Sequence, residues 1–259
     1  MDLGLKDRVV IVTGGASNIG RGISLGFARE GARVTIGDLD LDQAERVRKE
    51  LGERMSAEEM DVTDAESVKR VVARVLEREG RIDVLVNNAG WTVDRLFMEQ
   101  SRKDWERILA IELWGFLNCT RAVLDSMVER GYGRVVTIGS DAGRIGEWRE
   151  VVHSGAKAAV SAMSKALARE LGKSGITFNV VSPGFTPGRP ETSGARSQWS
   201  GEQGAQFTPE LLEKVARGYP VRRLGTPEDV VPVVLLLASE HASYVTGQTW
   251  SVSGGYTMV

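Results

Sequence analysis

The sequence predicts a single-domain, doubly wound α/β fold, a parallel sheet with helices on both faces. Short β-branched runs alternate with longer helical stretches, and the runs are apolar on both faces. A small-residue turn also joins the first run to the first helix. Alternation of this kind buries each strand between two helical layers through right-handed crossovers.

In chain order, Arg8–Thr13 reads as a strand, Ile19–Arg29 as a helix, Arg33–Gly37 as a strand and Leu41–Leu51 as a helix. Further strands are expected at Asp83–Val86, Arg134–Ile138, Ile176–Val181 and Thr249–Val252. Two long helices, Arg102–Glu129 and His153–Lys173, fill the middle. Thr186–Gln206 breaks the alternation, being rich in Gly, Pro, Ser and Thr, with Trp199 isolated within it. A loop this long inside one domain is either a lid over a site or a plain excursion, and the lid expectation covers about residues 186–217.

A chain of 259 residues is long enough for one sizeable core, and with 42% hydrophobic and 26% charged residues it has globular composition. The net charge of −2 has no basic cluster behind it, so a small-molecule substrate is expected, not nucleic acid or a membrane surface. Met1–Leu5 is read as running straight into a strand, with no basic stretch before an apolar one and no span-length apolar run, which predicts a cytoplasmic protein. One cysteine, Cys119, excludes an intrachain disulfide and a cysteine zinc cluster. With only His153 and His241 as histidines, no metal site is expected.

The turn after the first strand runs Thr13-Gly14-Gly15-Ala16-Ser17-Asn18-Ile19-Gly20 and opens into a helix. Backbone N–H groups at a helix start attract a pyrophosphate, and missing side chains let the backbone approach it. The next strand ends at Asp38, where a carboxylate can accept both ribose hydroxyls of a dinucleotide, as in Rossmann-type sites. That carboxylate would repel a 2′-phosphate and no arginine follows it, so NAD(H) is favoured over NADP(H). Asp61, with Val62 after it, is either an adenine contact or a carboxylate at a helix start.

These residues resemble the short-chain dehydrogenase/reductase family over essentially the whole chain. Asn87-Asn88-Ala89-Gly90 matches the segment after the fourth strand, the spacing of Ser140, His153 and Lys157 matches the active site, and Pro183-Gly184 matches the nicotinamide-side turn. Asn88-Ala89-Gly90-Trp91, Ser140-Asp141-Ala142 and Ser251-Val252-Ser253-Gly254-Gly255 look particularly like dehydrogenases of cyclic or aromatic-ring β-hydroxyacyl-CoA thioesters. The resemblance implies cofactor contacts from Gly14, Ser17, Asn18, Ile19, Gly20, Asp38, Asp61, Val62, Asn88, Ala89, Gly90, Lys157, Pro183, Gly184 and Thr186. It also implies dimers or tetramers built through the two long central helices.

Four positions depart from the family's pattern. His153 stands where the family has a tyrosine acid/base, Glu112 where it has a relay asparagine, Asn18 at a phosphate-turn glycine, and Gly188 at a carboxamide-binding threonine. A neutral imidazole is a competent base near pH 7, and Lys157 beside it is expected to keep it neutral. Its tip falls short of a phenol oxygen, so a water would bridge the gap. Glu112 either pairs with Lys157 or anchors a water in place of the asparagine.

Two functions therefore stay open. The first is an NAD(H)-dependent dehydrogenase using Ser140, His153, Lys157 and Glu112 on a secondary alcohol or ketone, as a β-hydroxyacyl- or β-oxoacyl-CoA with a bulky ring. Trp91, Trp148 and Trp199 would wall such a pocket, and Arg144, Arg149, Arg189 and Arg196 would be candidates for its mouth. The second is a non-catalytic subunit paired with an active homologue, in which His153 is only a satisfied histidine at a helix start. A homotetramer fits the first and a hetero-oligomer the second.

Overall fold

The computed structural model describes residues 2–259, the side chains of 51, 53, 190, 202 and 203 excepted. Seven strands form one parallel sheet in the order β3-β2-β1-β4-β5-β6-β7. They are β1 (Val9–Thr13), β2 (Arg33–Asp38), β3 (Met55–Glu59), β4 (Val84–Asn87), β5 (Gly133–Ile138), β6 (Ile176–Pro183) and β7 (Thr249–Val252). The order reverses between β1 and β4, and at that switch point the loops diverge and leave a crevice beyond the strand ends.

The helices are α1 (Asn18–Arg29), α2 (Leu41–Leu51), α3 (Ala65–Glu79), α4 (Arg102–Leu109), α5 (Gly115–Arg130), α6 (Ala142–Ile145), α7 (Val151–Leu171), α8 (Glu202–Ala205), α9 (Pro209–Ala216) and α10 (Pro227–Ala238). Ile23 and Phe27 of α1 pack with Val230, Val234 and Leu237 of α10 against Val10, Val12 and Ile36 on one sheet face. Val68, Val72 and Val75 of α3 pack with Cys119, Val123 and Met127 of α5 against Ile11, Leu85 and Phe178 on the other. Every residue of β1, β4, β5 and β6 is buried, as a sheet covered on both faces requires. No helix among the described residues is long and apolar enough to cross a membrane.

Four expectations need correction. The stretch from Asp2 to Arg8 is not a strand; the first strand starts at Val9, after Asp7 takes a left-handed φ of 59°. Met1 lies outside the described residues. A strand not expected, β3, lies at the sheet edge; its sequence MSAEE lacks β-branched residues, and pairing to β2 holds it there. The expected helix Arg102–Glu129 is interrupted by a π-type turn over Ala110–Trp114, which a 3.6-residue period does not reveal. The segment read as a loop to about residue 217 contains helical turns at Pro190–Thr192 and α8, and then α9, which Thr208 caps by accepting from Leu211 N.

Candidate active site

Each predicted site residue lies at or just beyond the carboxyl end of a strand, or on a helix facing that end. Gly14 follows β1, Asp38 closes β2, Asn88 follows β4, Ser140 follows β5 and Gly184 follows β6. They line one cavity of about 800 Å³.

The phosphate turn is held from behind. Asn88 Nδ2 donates to Thr13 O at 3.0 Å and to Gly14 O at 2.9 Å, while Thr13 Oγ1 accepts from the backbone N of Asn88 at 3.0 Å and of Ala89 at 3.1 Å. A Cβ on Gly20 would stand 2.1 Å from Gly14 O and 2.4 Å from Asn88 Nδ2, so the first turn of α1 closes only over glycine. Asn18, at φ 44°, adopts the left-handed backbone that asparagine tolerates, and its Nδ2 donates to Thr186 O at 3.0 Å. Ser17 Oγ does not cap α1; it accepts from Gly194 N at 3.0 Å.

Asp38 is held in place by the backbone. Its Oδ2 accepts from Ala16 N and its Oδ1 from Asp40 N, both at 3.0 Å, which fixes the carboxylate at the cavity wall. Burial pushes its pKa up, and those amides oppose the shift. Asp61 also lines the cavity, but the reading of it as a helix-start carboxylate is corrected: Asp64 caps α3, and Asp61 Oδ1 accepts from Thr63 N and Oγ1 at 2.9 and 2.7 Å. A close-approach glycine turn, a free helix start and a fixed carboxylate together fit a dinucleotide.

At the far end stand Ser140, His153, Lys157 and Glu112. Ser140 Oγ accepts from Ala142 N at 3.1 Å. Lys157 Nζ donates to Ile138 O at 3.0 Å, and its helix approaches α6 so closely that a Cβ on Gly143 would stand 2.7 Å from Ala158 N. Glu112 rises from the π-type turn with its side chain 1% exposed and meets His153 Nδ1 with both oxygens, at 3.0 and 3.1 Å. Lys157 Nζ lies 3.6 Å from the nearer oxygen.

The expected ion pair of Glu112 with Lys157 is present at 3.6 Å, beside a shorter contact to the imidazole that the sequence did not foresee. One expectation is corrected: Lys157 does not keep the ring neutral, because burial favours the neutral form but the Glu112 carboxylate, joined by Glu150, outweighs it and raises the His153 pKa. Burial likewise pushes Glu112 up, and His153 followed by Lys157 bring it below its ordinary value.

The substrate end is aromatic. Trp91, Trp148 and Trp199 all line the cavity, with Trp148 72% exposed at the rim. Phe185, Phe207, Tyr219 and Tyr256, which the sequence did not single out, complete the wall. Phe185, Trp199 and Phe207 form a mutual cluster with ring centroids 5.2 to 5.9 Å apart, and Trp199 lies over Gly188, where a Cβ would be 2.2 Å from its Cγ. Of the four candidate arginines, Arg196 lines the cavity, whereas Arg149 is bound to Asp94 and Arg144 and Arg189 are not among the lining residues. Arg107, unforeseen, lies 4.1 Å over the Trp91 ring at the cavity edge. Thr186 is buried and its Oγ1 donates to Gly184 O at 3.0 Å.

Residues 14–257 match a family described as enoyl-(acyl carrier protein) reductase. The chain is 36% identical over 255 residues to the 3-oxoacyl-[acyl-carrier-protein] reductase FabG of Thermotoga maritima, covering 97% of this chain and 98% of that one. It is 33% identical over 262 residues to the acetoacetyl-CoA reductase of Cupriavidus necator, covering 98% and 100%. To the (2S)-[(R)-hydroxy(phenyl)methyl]succinyl-CoA dehydrogenase subunit BbsD of Thauera aromatica it is 36% identical over 261 residues, covering 99% of both chains.

Proposed function

This chain belongs to the short-chain dehydrogenase/reductase family, and we propose that within it the protein is an NAD(H)-dependent oxidoreductase interconverting a secondary alcohol and a ketone on a β-hydroxyacyl or β-oxoacyl thioester with a bulky ring. The observation that carries the reading is the convergence of Asp38, the glycine turn, Ser140, His153 and Lys157 on one cavity. The aromatic wall supports the ring, and the names of the relatives support the acyl thioester.

Gly14, Ser17, Asn18, Ile19 and Gly20 would hold the pyrophosphate, Asp38 the adenosine ribose, and Asp61, Val62, Asn88, Ala89 and Gly90 the walls beside it. Lys157, Pro183, Gly184 and Thr186 would border the nicotinamide half. When bound, the nicotinamide supplies or accepts the hydride. Ser140 orients the substrate oxygen, and His153 exchanges a proton with it through Nε2, since Nδ1 is committed to Glu112. Lys157 places a positive charge beside the pair.

The segment from Thr186 onward acts as a lid in this reading. It is attached across the cavity by Gly194 N to Ser17 Oγ and by Thr92 N to Gln198 Oε1 at 3.0 Å each. The exposed Trp114, which ends the π-type turn, and Leu109 just before it support assembly of the chain through its central helices.

The test is calorimetric titration with NADH and NADPH, followed by a screen of ring-bearing oxoacyl-CoA substrates. Micromolar NADH binding with turnover is expected, with NADPH binding weaker and strengthened in Asp38→Ala. NADH binding with no turnover on any substrate would make this chain a non-catalytic subunit.

A further inference from the structure

We propose that Glu112 is a positioning residue that makes His153 the proton donor of the site, so that the two side chains work as one acid/base unit. The proposal rests on the oxidoreductase reading above and goes beyond it. Its basis is geometric. Both carboxylate oxygens face Nδ1, at 3.0 and 3.1 Å, and Glu112 is enclosed, with a side-chain exposure of 1%. A carboxylate can only accept there, so Nδ1 carries hydrogen whether the ring is charged or neutral. The tautomer is therefore fixed, and Nε2, on the other edge of a ring that lines the cavity, is the nitrogen that gains and loses a proton.

The charges around the imidazole favour its cationic form. Glu112 faces it from the π-type turn, Glu150 stands at the cap position just before α7, and Lys157 follows it on the same helix. Two carboxylates against one ammonium outweigh the burial of the ring. Burial first, and then Glu147, Asp94 and Glu112 nearby, push the Glu150 carboxyl up, while Asp94 is itself paired with Arg149. Lys157 is drawn off to Ile138 O, so its repulsion of the imidazolium is the smaller influence.

In ketone reduction a bound reduced nicotinamide would supply the hydride to the carbonyl carbon, whose π electrons would move to oxygen. The Nε2–H bond breaks and a proton is relayed to that oxygen through the water that bridges the shorter imidazole, giving the alcohol and a neutral imidazole still donating from Nδ1 to Glu112. Solvent restores the proton. The histidine and the glutamate thus complement each other: a neutral amide at 112 would neither hold the charge nor fix the ring as firmly.

The chain has two histidines, so an NMR titration reads His153 against His241 alone, with His153→Asn for assignment. Wild type, Glu112→Gln and Glu112→Asp are compared for histidine titration, reduction rate against pH, NADH affinity and thermal unfolding. The expected result is a His153 midpoint at least about one pH unit higher in wild type than in Glu112→Gln, with Nδ1–H as its neutral tautomer. The high-pH limb of reduction should move down by the same interval, lowering the rate at pH 8 by about tenfold or more, with NADH affinity unchanged and partial recovery in Glu112→Asp. Equal midpoints, or a rate loss with an unmoved pH profile in folded protein, would overturn the proposal. Should no variant, wild type included, reduce any ketone, the oxidoreductase reading fails, and the NMR comparison still decides the pair.

Discussion

Asn18 Nδ2 donates to Thr186 O at 3.0 Å, a bond that ties the phosphate turn to the base of the segment crossing the cavity. Asn18 holds φ at 44°, which glycine would hold without strain, so the side chain's distinct contribution is this link. Asn18→Gly is expected to leave the turn intact and to loosen the segment after Thr186, since one such bond contributes about 1 kcal/mol. Limited proteolysis should then cut within residues 186–207 several-fold faster, with NADH affinity little changed. Equal cleavage rates would mean that the bond does not restrain this segment.

Gly188 gives Trp199 its seat. A threonine there would place a Cβ 2.2 Å from Trp199 Cγ and drive the indole out of its cluster with Phe185 and Phe207. Overpacking of this kind costs about 1–3 kcal/mol. Gly188→Thr should lower the melting temperature and shift tryptophan emission to longer wavelength, with Trp199→Phe identifying the residue responsible.

The glycine turn can be closed by a single methyl. In Gly20→Ala the new carbon meets Gly14 O at 2.1 Å, so α1 or the turn must shift. NADH binding is expected to weaken by at least about tenfold, as a loss of roughly 1.4 kcal/mol or more would give. Asn88→Ala should act in the same direction by releasing Thr13 O and Gly14 O.

The start of α10 carries an acid-sensitive lock. Asp229 accepts from Thr226 N and Oγ1 and takes both Arg223 guanidinium nitrogens at 2.6 Å, and chiefly the arginine lowers its pKa to about 2. A depressed carboxylate pKa stabilises the fold above the unfolded value near 3.8, and the benefit is lost as pH falls toward 2. Asp229→Asn should cost about 1 kcal/mol at pH 7 by denaturant unfolding and progressively less below pH 4.

The buried pair has a window of its own. His153 titrates above its ordinary value, so its contribution is complete below about pH 6.5 and fades as pH rises through the raised folded value. Glu112 titrates below its ordinary value, so its contribution is present above 4.5 and is lost on acidification. Thermal stability relative to Glu112→Gln should therefore be largest between these limits and decline on either side.

Much of the fold was legible because its signals are local. Apolar runs, helical periodicity and the glycine turn each lie within one short stretch, and they placed β1, α1, β2 and the Asp38 carboxylate correctly. Ser140, His153 and Lys157 came together as their spacing implied, the last two sharing one helix and all three lining one cavity. β3 was missed because MSAEE has no strand signature and is held by its neighbour. The aromatic wall was only partly seen, since Phe185, Phe207, Tyr219 and Tyr256 meet Trp199 or one another only after the segment folds back.

The sequence by itself determined the parallel sheet, the glycine turn after the first strand and the spacing that brings Ser140, His153 and Lys157 to one cavity. Only the tertiary structure decided what Glu112 does. Its partner depends on a π-type turn that rotates it toward α7, and on the competition among His153, Lys157 and Ile138 O for the same few ångströms. Charge and burial act through space over that distance, and a linear order of residues carries no record of which group arrives first.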